Sequence, residues 1–138
     1  MAEALILDSE ALNALARPKE RGALAMRASA ILRIAFDERA LVRVPAPVLA
    51  ETCRGGPREA AIQRLLTDHH FVVVDLTARA AQMAGALLSR AKLDSKHAVD
   101  AFVVATALQF DSAVIATGDP RDIGRLSAGH PSVRVFSI

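Results

Sequence analysis

The sequence contains no tryptophan and no tyrosine, and only five phenylalanines among its 138 residues. Proteins that bind single-stranded nucleic acids without sequence preference stack the bases on aromatic side chains. This chain has few residues that could build such a platform. Binding of nucleic acid by base stacking is therefore poorly supported.

Cysteine is equally scarce. Cys53 is the one cysteine, so an intramolecular disulfide is impossible. It lies two residues after Glu51 and could be a nucleophile or a soft metal ligand, but free cysteines are usually small buried residues, and we favour that interpretation. The sequence has no Cys/His spacing typical of zinc sites. It also has no P-loop and no dinucleotide-binding glycine pattern.

Long apolar runs are absent too. None approaches the ~20 residues that cross a bilayer. The first residues carry no basic segment, and their apolar stretch is too short for a signal peptide. We therefore expect a cytoplasmic protein without a membrane partner. With 52% hydrophobic and 23% charged residues, the chain can bury a core, and we expect one domain over residues 1–138.

Basic residues outnumber acidic ones only slightly. The formal net charge is +2, although the isoelectric point is about 9.2. Fourteen of the seventeen basic residues are arginine, which suits bidentate contacts with phosphate and carboxylate. This composition is compatible with nucleic acid and equally with an acidic protein partner, so charge alone does not decide between them.

Short apolar runs alternate with helical patterns along the chain. The runs predict buried β-strands, and the stretches between them predict helices. The predicted strands are 4–8, 41–44, 71–75, 113–117 and 133–136. The predicted helices are 9–16, 22–39, 45–53, 58–68, 77–91, 95–110 and 119–126. This alternation favours an α/β fold with a central, mostly parallel sheet flanked by helices.

Four acidic residues stand out against this apolar background: Asp8, Glu51, Asp100 and Asp119. Asp8 and Asp119 follow predicted strands at the carboxyl end, where the sites of parallel sheets form. Glu51 and Asp100 interrupt apolar helices, where a carboxylate is costly to bury unless something positive neutralises it. Several converging carboxylates are the ordinary way to hold a hard cation such as Mg²⁺. The sequence therefore favours a metal-dependent enzyme acting on phosphodiesters.

Each acid also has a simpler explanation. Asp8 and Asp119 could cap the helices that follow them, and Glu51 could be a solvated helix residue. Asp100 is harder to explain in this way, because its helix is apolar nearly all round. Thr117, two residues before Asp119, could orient that carboxylate or bind a water molecule on a metal.

Several neighbouring residues could contribute to the site. Asp122 could be an outer metal ligand, although a capping or surface role is favoured. Asp94 is better explained by a turn. Among the histidines, only His97 is kept as a candidate ligand. His69 and His70 adjoin the start of a strand, where adjacent side chains point to opposite faces, so we do not expect them to bind one metal together.

The segments around the four acids resemble those of the PIN-domain family, and within it the toxins of VapBC toxin–antitoxin modules. The likeness covers the whole chain, and the order and context of its short motifs are fairly specific. The motifs are a strand ending in Asp8-Ser9, the segment Ala50-Glu51-Thr52-Cys53-Arg54, the helix opening Asp100-Ala101-Phe102-Val103-Val104-Ala105-Thr106-Ala107, and the strand end Ala116-Thr117-Gly118-Asp119. Residues 93–99 depart from the small-residue pattern expected there.

The resemblance implies an endoribonuclease that leaves 5′-phosphate and 3′-hydroxyl ends. The catalytic carboxylates of such an enzyme, which bind Mg²⁺ or Mn²⁺, would be Asp8, Glu51, Asp100 and Asp119. The associated hydroxyl would be that of Thr117. The implied partners are an RNA substrate, a cognate VapB-type antitoxin that holds the toxin inactive, and a second copy of the chain in a homodimer.

Arginines near the mouth of the site would hold RNA phosphates, so that binding weakens as salt rises. Arg54, three residues after Glu51, would share its helix face and either steady its carboxylate or meet a phosphate. The full set of candidates is Arg17, Arg21, Arg54 and Arg121.

Two alternatives remain open. A catalytically inactive PIN-like module could use the acidic pocket to receive an arginine from a protein partner. A different α/β enzyme with a strand-end aspartate is less favoured. A phosphatase of the Asp-x-Asp type would need an aspartate where the chain has Glu10, and none of the three lysines follows a strand as a phosphoacceptor domain would require.

Overall fold

The computed structural model describes residues 3–138, which form five β-strands and eight α-helices. Residues 1 and 2 of the expected domain lie outside the described residues. The strands are β1 (Glu3–Leu7), β2 (Leu41–Pro45), β3 (Phe71–Val74), β4 (Ser112–Thr117) and β5 (Val133–Ser137). The helices are α1 (Ser9–Ala16), α2 (Pro18–Arg21), α3 (Ala23–Asp37), α4 (Val48–Thr52), α5 (Gly56–Leu66), α6 (Ala78–Ala91), α7 (Ala98–Ala107) and α8 (Pro120–Ser127), with a 3₁₀ helix, Ser95–His97, before α7. No helix within residues 3–138 is long and apolar enough to cross a membrane.

The five strands form one sheet in which every pair is parallel, in the order β3-β2-β1-β4-β5. The chain builds from β1 to β3 on one side and then places β4 and β5 on the other side of β1. The direction in which successive strands are added to the sheet therefore reverses between β1 and β4, where Leu7 is paired with Ala116. Open parallel sheets bind ligands beyond the carboxyl ends of their strands at such a switch point. The predicted α/β fold with a parallel central sheet is confirmed.

The central strands are buried because they are apolar on both sides. Ile6, Leu7, Ile115 and Ala116 are fully buried, as expected for parallel strands covered by helices on both faces. Helix α7 is buried at every position from 103 to 107. Its end leads through a short segment into the start of β4, so its first turn lies at the carboxyl edge of the sheet.

The helices differ from the prediction mainly in three places. The helix predicted over 45–53 is shorter, Val48–Thr52, because Pro45 ends β2. An additional short helix, α2, begins at Pro18, because the fixed φ of proline suits the first position of a helix. The helix predicted over 95–110 is divided. Asp94 caps the 3₁₀ helix by accepting a hydrogen bond from the Lys96 N–H at 3.1 Å, and α7 then runs from Ala98 to Ala107.

Candidate metal centre

Asp8 lies directly beyond β1 and is buried. Its Oδ1 accepts a hydrogen bond from the Ala11 N–H at 2.9 Å, which caps α1. Its Oδ2 accepts one from the Gly118 N–H at 3.2 Å, beyond β4, and the Thr117 hydroxyl donates to the same carboxylate. Burial raises the pKa of Asp8, and these hydrogen bonds oppose the rise. Asp8 therefore caps a helix and also faces the switch point.

Thr117 joins the two strand-end aspartates. Its side chain is fully buried at the end of β4. Its hydroxyl donates to Asp8 and accepts a hydrogen bond from the Asp119 N–H at 2.8 Å. Asp119 in turn caps α8, with Oδ1 3.4 Å from the Asp122 nitrogen. One hydroxyl therefore fixes both Asp8 and Asp119 at the carboxyl edge of the sheet.

Gly118 has no side chain at the point where Glu10 crosses the segment after β4. A Cβ at position 118 would lie 2.6 Å from Cγ and 2.7 Å from Cβ of Glu10. Because the Glu10 Cβ is attached to the backbone of α1, rotating the Glu10 side chain cannot remove this clash. Glycine therefore allows the segment from Thr117 to Asp119 to lie against the start of α1.

We expect Gly118→Ala to destabilise the fold by about 1–3 kcal/mol, because an inserted methyl group forces the backbone to move. The movement displaces the Gly118 N–H, which donates a hydrogen bond to Asp8. The free energy of unfolding from urea titration measures the effect. Gly85→Ala is the control, since a Cβ there meets no atom within 4 Å, and alanine in a helix should be neutral or slightly stabilising. Equal stability of the two variants would contradict this account of Gly118.

Glu51 lies in α4, and its side chain is exposed. Because Asp8 caps α1, the Ser9 hydroxyl is available to donate a hydrogen bond to Glu51 Oε1. This bond links α4 to the residue that follows Asp8. Glu51 therefore lies at the solvent-facing rim of the acidic cluster.

Asp100 lies half-buried in the first turn of α7. Its pKa is raised to about 6, first by burial and then by nearby negative charges. Those charges belong to Asp119, Asp8, Glu51 and Asp122, in decreasing order of effect. The tertiary structure thus brings together the four acids found in the sequence, and adds a fifth. Carboxylates this close oppose one another's ionisation unless a cation is bound.

His97 and Asp122 place a nitrogen donor beside the acidic cluster. His97 Nδ1 lies 3.3 Å from Asp122 Oδ2. Ligand atoms of His97, Asp100 and Asp122 all lie within 4.8 Å of one another. The sequence marked His97 as a weak candidate and assigned Asp122 more readily to a cap, because only the packing of α7 on α8 brings them together. Asp94 is exposed and has the turn role that was expected of it.

Arg17 and Arg21 lie at the far end of α1 and in α2. The Arg17 side chain is only 9% exposed and its Nη1 pairs with Glu20 Oε2 at 2.5 Å. Arg21 Nη1 is 3.6 Å from Glu10 Oε2. The Nε atom of each arginine is buried without a hydrogen-bond partner within the described residues.

Arg54 and Arg121 are both exposed. The prediction that Arg54 shares a helical face with Glu51 is wrong, because α4 ends at Thr52 and the chain leaves the helix at Cys53. Arg121 lies in the first turn of α8, two residues after Asp119, at the carboxyl edge of the sheet.

Asp68, His69 and His70 form a second cluster, away from the acids. The imidazole Nδ1 atoms of His70 and His69 lie 2.8 and 4.0 Å from Asp68 Oδ1. The expectation that the two histidines point to opposite faces is wrong, because they lie in the turn before β3 and not in the strand. This exposed cluster is at the amino edge of the sheet, opposite the carboxyl edge where Asp8 lies.

Comparison with models of protein families identifies the family to which this chain belongs. A family model described as PIN domain matches residues 5–128, a range that holds the whole acidic cluster. The chain belongs to the PIN-domain family. PIN domains are generally nucleases and typically use divalent metals.

Two solved structures resemble this PIN domain over nearly its full length. The VapBC2 complex from Rickettsia felis, bound to a DNA fragment from its promoter, has a chain with 14% identity and a TM-score of 0.65, covering 98% of both chains. A toxin–antitoxin complex from Klebsiella pneumoniae contains a chain with 21% identity and a TM-score of 0.66. The match covers 97% of this chain and 99% of the Klebsiella chain. At these identities the likeness establishes the fold. No curated protein matches the sequence.

The donor atoms of this PIN domain fit a divalent cation. Asp8, Asp100 and Asp119 offer carboxylate oxygens, which are the ligands that Mg²⁺ and Mn²⁺ prefer. The pKa of Asp100 is raised by burial and then by the negative charges of the neighbouring carboxylates. A bound cation would balance those negative charges.

Proposed function

We propose that this PIN domain is a metal-dependent endoribonuclease and the toxin of a VapBC-type toxin–antitoxin system. The observation that carries the proposal is the convergence of four carboxylates on Asp100 at the switch point of a PIN-domain sheet. The two toxin–antitoxin complexes that share its fold support the toxin role.

The four carboxylates would differ in how they contact the metal. Asp8, Asp100 and Asp119 would hold Mg²⁺ or Mn²⁺ directly, and Glu51, which is exposed and bonded to Ser9, would act as a ligand or through water. The metal held by these residues would supply an acidified water and stabilisation of the charge on the leaving oxygen of a phosphodiester. No covalent protein nucleophile is needed.

Thr117 would act as a positioning residue. Its buried hydroxyl ties the Asp8 carboxylate to the backbone of Asp119, so Asp8 stays close to the residue that carries the other strand-end carboxylate. Preorganised ligands of this kind avoid the free-energy cost of rearrangement during the reaction.

A basic cavity supports RNA as the substrate. It has a volume of about 330 Å³ and lies where the end of α1 and α2 meet α5. Its charged lining residues are Arg17, Lys19, Glu20, Arg58 and Arg64. The eight residues of α1 separate it from Asp8 by about 12 Å at 1.5 Å per residue. We propose that RNA phosphates bind here while another phosphate occupies the acidic site. Arg58 and Arg64 were absent from the sequence-based candidates because α5 reaches this place only in the folded chain.

We expect Arg58→Ala with Arg64→Ala to weaken RNA binding about tenfold near 0.1 M salt, because two phosphate contacts are lost. The slope of log Kd against log salt should fall by about 1.4, at 0.7 per phosphate on a single strand. Filter binding of a labelled RNA, with the Asp8→Asn substitution added to prevent cleavage, measures both quantities.

The matched control removes the same charge elsewhere. Arg27 and Arg79 are exposed on α3 and α6 and do not line the basic cavity. Arg27→Ala with Arg79→Ala should leave the salt slope within experimental error of the parent. Equal losses in the two double variants would show that net charge alone governs binding, and would remove the cavity from the proposal.

We also propose that a VapB-type antitoxin and a second copy of the chain are partners, and that the protein acts in the cytoplasm. Helix α3 exposes Met26 and Ile34, which are 75% and 49% accessible and line a groove of about 580 Å³. An apolar surface of this kind suits a protein partner.

Light scattering after size exclusion tests the homodimer. Co-expression with the neighbouring open reading frame, followed by an RNA-cleavage assay, tests inhibition by an antitoxin.

The deciding experiment is RNA cleavage by the purified protein with Mg²⁺, Mn²⁺ or EDTA. Cleavage with metal that yields 5′-phosphate ends, and that Asp8→Asn abolishes while the protein stays folded, is the expected result. Metal binding without cleavage of a broad RNA pool would indicate a very narrow substrate. Loss of both metal binding and cleavage would favour an inactive PIN module whose acidic pocket binds a protein partner.

A further inference from the structure

A mixed nitrogen and oxygen cluster combines Asp100 with His97 and Asp122. His97 comes from the 3₁₀ helix, Asp100 from the first turn of α7 and Asp122 from the first turn of α8. Their potential ligand atoms lie within 4.8 Å of one another. The side chains of His97 and Asp122 are only 17% and 21% exposed. Three elements therefore converge on a partly enclosed point next to the acidic site.

The spacing of these donors suits one cation. Two ligands that are each 2.0–2.2 Å from a metal lie about 3.0–3.5 Å apart. His97 Nδ1 and Asp122 Oδ2 are 3.3 Å apart, which is the separation expected of two ligands of one cation. The third donor, Asp100, is within reach of the same point.

Asp100 belongs to two groups of ligands. It interacts electrostatically with Asp119, Asp8 and Glu51, and also with Asp122, whose carboxylate lies beside His97. A carboxylate has two oxygens and can coordinate through one or both of them. One oxygen of Asp100 can therefore serve a cation held with Asp8 and Asp119, while the other serves a cation held with His97 and Asp122.

We propose that His97 and Asp122, together with Asp100 as a shared carboxylate, hold a second divalent cation, and that this position takes Mn²⁺ in preference to Mg²⁺. The inference rests on the proposed nuclease function, because it assigns the second position to the same site. Imidazole nitrogen suits transition metals, whereas Mg²⁺ requires oxygen ligands. Paired cations are a known way to stabilise both the attacking and the leaving oxygen of a phosphodiester.

The test is Mn²⁺ binding followed by electron paramagnetic resonance, which does not depend on cleavage. The parent for all measurements carries His69→Ala and His70→Ala, so that the exposed cluster at the opposite edge cannot bind metal. Two Mn²⁺ ions per chain are expected, and electron spin-echo modulation from a coordinated imidazole ¹⁴N should be present. His130 precedes β5 at the amino edge of the sheet, away from this cluster, so a signal from His130 would persist when His97 is replaced.

His97→Gln should remove the ¹⁴N modulation and weaken the second Mn²⁺ at least tenfold, while the first remains bound. Asp122→Asn should weaken the same ion without affecting the first. Circular dichroism verifies that both variants fold, and Asp94→Asn, which changes an exposed carboxylate near His97, should retain both ions.

The outcomes separate this inference from the nuclease proposal. One Mn²⁺ per chain without ¹⁴N modulation would overturn the second position and leave the nuclease proposal standing. Two ions whose affinities are unchanged by His97→Gln would also overturn it. No Mn²⁺ binding at all would overturn both.

Discussion

Asp100→Asn is expected to reduce metal-dependent RNA cleavage by about three orders of magnitude. Asp100 is the carboxylate on which Asp8, Glu51 and Asp119 converge, and a neutral amide there removes a charged ligand. Metal catalysis of phosphodiester hydrolysis contributes several kcal/mol of transition-state stabilisation, and about 4 kcal/mol corresponds to about a thousandfold in rate. Single-turnover cleavage of a labelled RNA with saturating Mn²⁺ measures the loss.

Asp94→Asn is the matched control for this substitution. It also changes a carboxylate to an amide, six residues earlier, at an exposed position where asparagine can cap the 3₁₀ helix as aspartate does. Its cleavage rate should remain close to that of the unchanged protein. A rate for Asp100→Asn within a few-fold of Asp94→Asn would show that Asp100 is not a metal ligand.

Bound metal is expected to reverse a loss of stability that the acidic cluster imposes on the metal-free fold. Asp100 keeps its proton up to about pH 6 in the folded state, because its pKa is raised, whereas the unfolded chain releases it near 3.8. Between these values the folded state binds more protons. Stability should therefore fall as the pH rises through this window and stay low above it. The raised pKa of Asp8 acts in the same direction.

The size of this loss of stability follows from the shift in the pKa of Asp100. The interval from 3.8 to about 6 corresponds to roughly 3 kcal/mol at 1.36 kcal/mol per unit, and solvent screening of the partly exposed side chain reduces it to about 1–2 kcal/mol. Asp100→Asn should therefore stabilise the metal-free protein by about this amount at pH 7.5 and have little effect at pH 4. Mn²⁺ at a hundred times its Kd should add about 2.7 kcal/mol to the unchanged protein.

Urea unfolding at pH 4, 5, 6 and 7.5, with EDTA and then with Mn²⁺, measures both contributions. Asp94→Asn should follow the unchanged protein throughout. Metal-free stability that rises from pH 4 to 6, or Mn²⁺ stabilisation that persists unchanged in Asp100→Asn, would contradict a cluster of uncompensated carboxylates.

The apolar pattern of the chain was enough to predict the sheet and the places of the two strand-end acids. The run from Ala4 to Leu7 and the run before Thr117 are apolar at every position, as is typical of parallel strands buried on both faces. In a parallel sheet the residues after such runs emerge at one edge. Asp8 and Asp119 could therefore be expected at the same edge before their distance was known.

Other features depended on packing that no local pattern encodes. His97 meets Asp122 because α7 lies on α8, and Arg64 reaches the cavity near Arg17 because α5 lies beside the end of α1. The two histidines at 69 and 70 share a carboxylate because a turn, unlike a strand, does not alternate its side chains. Periodicity fixes which face of an element is apolar. The contacts between elements distant in sequence arise only when those faces pack together, and that tertiary packing decided which charged side chains meet.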